Sequence, residues 1–70
     1  MAATAVWLNL NELPRTFDSY KWVYLGFDDE SPTKARFKVD EGYWSGAKGE
    51  SFHGVKVLNI ETGRVGISYN

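Results

Sequence analysis

The stretch Tyr20–Asp40, YKWVYLGFDDESPTKARFKVD, decides the fold. Both of its ends are dense in β-branched and aromatic residues, the types that fit a pleated, half-buried surface. Lys34–Asp40 (KARFKVD) alternates cleanly: Ala35, Phe37 and Val39 point one way, Lys34, Arg36 and Lys38 the other. Successive side chains of a strand leave on opposite faces, so this is a strand with one buried face. Tyr20–Phe27 (YKWVYLGF) is harder to orient, because both of its faces are largely apolar. Val23, Leu25 and Phe27 form an aliphatic-rich set; Tyr20, Trp22 and Tyr24 form an amphipathic aromatic one. Between the two runs Asp28–Thr33 (DDESPT) has the chemistry of a turn, so they form a hairpin. Assigning Val23, Leu25 and Phe27 to the core sends Tyr20, Trp22 and Tyr24 to the outer face, beside Lys34, Arg36 and Lys38. A slip of one residue would turn a whole core set outward, so the choice of face carries the argument.

Working outward, Thr4–Leu10 (TAVWLNL) has the period-two pattern of a half-buried strand, with Val6, Leu8 and Leu10 on one side; a short helical turn is the alternative for the same residues. Asn11–Ser19 (NELPRTFDS) reads as a connection: Pro14 lacks an N–H and biases Leu13 away from the α region, while Phe17 anchors the loop in the core. Glu41–Gly54 (EGYWSGAKGESFHG) holds four of the seven glycines and reads as the longest irregular stretch. Val55–Ile60 (VKVLNI) is a strand with a bulge where Val57 and Leu58 are both apolar. Glu61–Arg64 (ETGR) is a hairpin turn in which Gly63 is expected to take a positive φ. Val65–Tyr69 (VGISY) closes the chain with Val65, Ile67 and Tyr69 on one side. The expected core is Val6, Leu8, Val23, Leu25, Phe37, Val39, Val57, Leu58, Ile60 and Ile67.

About five short antiparallel strands and no long helix make a single all-β domain over residues 1–70. A flat sheet of this size leaves one face and two edges bare. A strongly curled sheet or partly open barrel, of the size and strand count of SH3-like or OB-like barrels, hides both. The alternative is an α+β domain with one short helix.

Seventy residues bury only about 60% of the surface the unfolded chain exposes. Cysteine is absent, which excludes disulfides and thiolate metal sites. Stability must then come from packing, and 43% hydrophobic with 16% aromatic residues supplies it while excluding a disordered chain. Eight basic against nine acidic residues give a net charge of −1, without the basic excess of a dedicated duplex binder. No apolar run approaches the roughly 18–20 residues of a membrane span. Met1–Leu10 has no positive charge ahead of an apolar stretch and is not expected to be a secretory signal. A cytoplasmic protein is the resulting expectation.

Catalytic chemistry is sparse. His53 is the one histidine, Ser51 is two residues away, and nothing resembles a nucleophile elbow, so no enzyme is expected. Asp28-Asp29-Glu30 lacks the spaced ligands and glycine of an EF-hand loop and reads as a solvated turn. Gly42–Ser51 misses the phosphate-loop spacing because Lys48 follows Ala47. No cofactor or metal is expected. Two aromatic features remain. Tyr43-Trp44 lies in the Gly-rich 41–54 stretch, with Trp44 expected to fold back as a lid on the core and Tyr43 to lie at the surface. The expected outer hairpin face carries Trp22, Tyr24, Arg36 and Lys38, and Trp, Tyr and Arg dominate interface energetics. The leading reading is a non-enzymatic module that docks on another protein, as inhibitor, adaptor or small subunit, through Trp22, Tyr24, Arg36, Lys38, Tyr43 and Trp44. The alternatives are single-stranded nucleic acid, with bases stacked on rings and phosphates on cations, and carbohydrate stacked on Tyr43, Trp44 and Trp22.

Overall fold

The computed structural model describes residues 4–30 and 32–69. Met1–Ala3 of the N-terminal segment, Ser31 of the expected hairpin turn and Asn70 lie outside the described residues. Among the described residues the chain forms eight strands and no helix: β1 Thr4–Asn9, β2 Arg15–Phe17, β3 Tyr20–Asp28, β4 Lys34–Val39, β5 Gly42–Ala47, β6 Ser51–Phe52, β7 Val55–Ile60 and β8 Arg64–Tyr69. They divide into two four-stranded antiparallel sheets, ordered β1-β8-β7-β6 and β2-β3-β4-β5. The expectation holds as an all-β antiparallel domain. It does not hold as one curled sheet: neither sheet is closed or strongly curled, and each hides its apolar face against the other.

The extra strands come from tight turns that lack the usual Asn-Gly signal. Asp18 and Ser19 (φ 51 and 70) join β2 to β3, and His53 and Gly54 (φ 49 and 79) join β6 to β7. Positive φ at both central positions matches the twist of the flanking strands. Asp40 (φ 51) opens the turn from β4 to β5, so Gly42–Ala47 is a strand and not irregular. The expected β7–β8 hairpin is present. Its turn is closed by the Glu61 N–H donating to the Arg64 carbonyl (2.9 Å), and Gly63 is not among the residues with positive φ.

The face chosen for β3 is the main correction. In register Trp22 faces Val39 and Tyr24 faces Phe37, whereas Val23 faces Lys38. Directly opposed residues share a face. Trp22 and Tyr24 are therefore inside, at 0% and 1% exposure, and Val23 is only half-buried. The face of β4 is as expected: Ala35, Phe37 and Val39 inward, Lys34, Arg36 and Lys38 outward. Area decides the choice on β3. Each large ring buries roughly 150–250 Å², which at about 25 cal/mol per Å² outweighs a Val or Leu in its place. A bulge between Tyr24 and Gly26 then shifts the parity, with Gly26 at φ 110, so that Phe27 faces Ala35 on the inner side. Leu25 is the extra residue and is half-buried.

The core joins both sheets: Leu8, Val55, Val57, Val65 and Ile67 from one, Phe17, Trp22, Tyr24, Ala35, Phe37 and Val39 from the other. Phe17 is anchored there as expected. The expected bulge of β7 is present between Val57 and Asn59, and it expels Leu58, which is 37% exposed instead of buried. Leu10, expected beside Val6 and Leu8, is exposed as well.

Burying Tyr24 requires its hydroxyl to be satisfied, and Tyr24 Oη donates to the Glu61 carbonyl at 3.1 Å. Tyr24→Phe is expected to cost about 1 kcal/mol, read as a lower urea midpoint with an unchanged slope. Burial also raises the phenol above its ordinary value of 10.0. The unfolded chain then loses this proton before the folded one, so stability is intact below that value and falls as pH rises through it. A pH series of urea midpoints should show an alkaline decline that is smaller in Tyr24→Phe.

Candidate interaction surface

The alternation of β4 places Lys34, Arg36 and Lys38 on the outer face of the β2-β3-β4-β5 sheet, all exposed. On β5, Tyr43 faces Lys38 and Ser45 faces Arg36. On β3, Val23 faces Lys38 from the other side, Asp28 faces Lys34, and Lys21 lies two residues before Val23 on the same face. Arg36 Nη1 meets Asp28 Oδ1 at 3.6 Å, with both side chains about half exposed; such a surface pair contributes little. The Asp40 turn is pinned to this sheet by one side-chain and one backbone hydrogen bond: the Lys21 N–H donates to Asp40 Oδ1 (2.7 Å) and the Asp40 N–H to the Lys21 carbonyl (2.8 Å). A shallow depression beside Lys38 is lined by Pro14, Lys21, Val23, Lys38, Asp40 and Glu41.

Of the six residues singled out from the sequence, the structure brings Arg36, Lys38 and Tyr43 together on this face. Tyr43 is 75% exposed. Trp22 and Tyr24 belong to the core on the opposite side, for the reason of area given above. Trp44 is half-buried on the inner side, stacked on Phe52 (5.3 Å, 13°) and Phe37 (5.7 Å, 20°), and so covers the core as expected.

A feature that net charge conceals is the segregation of sign. Of nine acidic residues only Asp28 lies in a strand, and it is the last residue of β3; of eight basic residues only Lys48 lies outside one. Acids therefore rim the molecule at its turns, while cations occupy the strand faces. Lys21 joins the basic face because it shares the side of Val23, which turns outward once Trp22 and Tyr24 are inside; its charge at i−2 from Val23 was the signal in the sequence that this side of β3 faces water.

Sequence reading also passed over Trp7. With Val6 and Leu8 oriented toward the core, Trp7 must point out, and it is 40% exposed on the other sheet. Its ring lies across Gly66, where an added Cβ would approach Trp7 Cζ3 to 3.3 Å. The Arg64 guanidinium sits 3.8 Å from the ring centroid, held by its Nε–H to Glu61 Oε1 (2.9 Å). Arg64 occupies one face of this indole, so the ring is a cation–π pair and not an open stacking platform.

His53 stacks on Tyr20 with centroids 4.2 Å apart, in the β6–β7 turn. Among the described residues no group of three or more His, Cys, Asp or Glu is placed to hold a metal ion. No helix among them is long and apolar enough to cross a membrane. Comparison of the chain with protein-family models, curated proteins and solved structures finds no match.

Proposed function

We propose that this protein is a non-enzymatic binding module that docks on an acidic surface of another protein through the outer face of β3, β4 and β5. Lys21, Arg36, Lys38 and Tyr43 make the contact. The observation that supports this reading is the bounded basic strip. Lys34, Arg36 and Lys38 span about 14 Å along one strand at roughly 3.4 Å per residue, and acids stand at both ends: Asp28, Asp29 and Glu30 at one turn, Asp40 and Glu41 at the other. A compact acidic patch matches such a strip, and basic residues on its margin would meet the acidic rim. A long polyanion meets repulsion wherever it leaves the strip.

Single-stranded nucleic acid is the second reading, and one observation favours it: the Tyr43 ring, largely exposed, lies across from Lys38. A base stacked there would have a cation beside its phosphate. With Trp22 and Tyr24 in the core, however, only one open ring remains on this face.

The test is the double variant Arg36→Glu, Lys38→Glu. Both side chains are exposed, so stability should stay within about 0.5 kcal/mol of the parent. A protein partner captured from the source cell should lose tenfold or more in affinity, mainly through slower and less salt-sensitive association. A partner held equally well by the folded double variant would refute the assignment. Affinity for a mixed-sequence DNA oligonucleotide that falls steeply with salt, with no protein captured, would transfer the face to nucleic acid.

A further inference from the structure

The outer face of the β2-β3-β4-β5 sheet carries two parallel lanes of different chemistry. Lys34, Arg36 and Lys38 form a basic lane along β4. On β3, Val23 faces Lys38, and Leu25 follows on the same side before the bulge reverses the parity; both are half-buried. Pro14 joins Val23 in the depression beside Lys38, and the neighbouring Leu13 is 84% exposed. An apolar lane therefore runs beside the basic one, at the strand spacing of about 4.8 Å. The depression encloses about 450 Å³, room for a large apolar side chain. Asp40 and Glu41 close one end of both lanes, and Asp28, Asp29 and Glu30 the other.

We propose, on the reading of this face as a protein-docking surface, that the acidic element it receives is an amphipathic helix with carboxylates along one flank of its apolar stripe. Charge complementarity selects the flank, and the spacing of the lanes selects the helix. An extended segment sets the side chains of one face in a single row, so one such segment reaches only one lane. A helix buries a stripe about 100° wide, and its residues three or four apart are neighbours at about 5–6 Å, close to the separation of the lanes. Acids at i, i+4 and i+8 repeat every 6 Å or so, and the cations of β4 about every 6.8 Å. The two repeats end only about 2 Å apart over the strip, within the reach of long Lys and Arg side chains. Leucines at i+3 and i+7 then lie over Val23, Leu25 and the depression. The strip of about 14 Å takes roughly nine residues at 1.5 Å each. Beyond them the acidic turns at both ends of the lanes favour basic residues on the helix.

The probe is a synthetic peptide with glutamates at i, i+4 and i+8, leucines at i+3, i+7 and i+11, and lysines at both ends. Alone, so short a helix is marginal in water. Titrated with the folded wild-type chain, its helical far-UV circular dichroism should rise. It should bind at least tenfold more tightly than an isomer whose glutamates lie opposite the leucines, and than a version with a central proline, which breaks the helix. Val23→Thr keeps the β-branched shape but replaces a methyl with a hydroxyl, and should weaken binding threefold or more. The Arg36→Glu, Lys38→Glu variant separates this proposal from the reading beneath it. If the helical, isomeric and proline peptides bind equally and all are lost in that variant, the basic docking face stands and the helix is overturned. No binding of the helical peptide, binding without a gain in helicity, or binding indifferent to Val23→Thr would also overturn the proposal.

Discussion

Trp22→Ala is expected to remove most of the stability of this domain. The indole is fully buried and makes edge contacts with Phe37 (5.3 Å), Trp44 (6.0 Å) and Phe52 (6.2 Å). It thereby touches residues of both sheets, and its loss would open the cavity where they meet. Truncating a buried Trp costs about 3–5 kcal/mol, comparable with the whole stability of a small domain. Trp22→Phe is the informative companion. Trp22 Nε1 is buried without a hydrogen-bond partner, and an orphaned donor costs about 1–3 kcal/mol. Phenylalanine gives up some area but removes that penalty, so its cost should be well below that of alanine. Urea denaturation followed by far-UV circular dichroism measures both. A Trp22→Ala protein as stable as its parent would show that the indole is not at the centre of the core.

Gly46→Ala should be the most damaging single-methyl change. Gly46 is buried on the inner face of β5, two residues from Trp44, and the indole lies across it. An added Cβ would overlap Trp44 Cη2 and Cζ2, well inside van der Waals contact. The ring has little freedom to move aside, because Phe37 and Phe52 stack on it. Overpacking of this kind costs about 1–3 kcal/mol. Near-UV circular dichroism should change with it, since the tryptophan environment is what yields. Gly63→Ala supplies the contrast. A Cβ there meets nothing within 4 Å and the backbone has no positive φ, so reduced freedom in the unfolded chain should make it neutral or stabilising by up to about 1 kcal/mol. Equal melting of the two variants would remove the steric account of Gly46.

The face of β4 was legible from Lys34–Asp40 alone, because charges at every second position leave one choice of face; the hairpin followed from the turn residues of Asp28–Thr33 between two β-rich runs, and the all-β class from the short apolar runs along the chain. The basic half of the candidate surface, Arg36 and Lys38, followed from the same pattern, and the exposure of Tyr43 was expected from its place beside Trp44. Neighbouring Tyr20–Phe27 offered no such contrast. Both of its faces are apolar, so local pattern could not orient it, and the bulge at Leu25 makes Tyr24 and Phe27 share a side that strict alternation denies them. The same holds for Leu58, whose apolar character is overruled by the bulge on β7. What decided these positions was the opposite sheet. Two facing sheets leave a space roughly 10 Å thick, and indole and phenol rings fill it better than Val23 and Leu25. The strands β2, β5 and β6 were likewise hidden, since Asp18-Ser19, Asp40 and His53-Gly54 adopt left-handed turns without a strong sequence signal. Charge segregation was written in the sequence but became a surface only when the turns gathered the acids at the rim. Alternating charge specifies a face locally; a choice between two apolar faces is made only by the volume they must fill together.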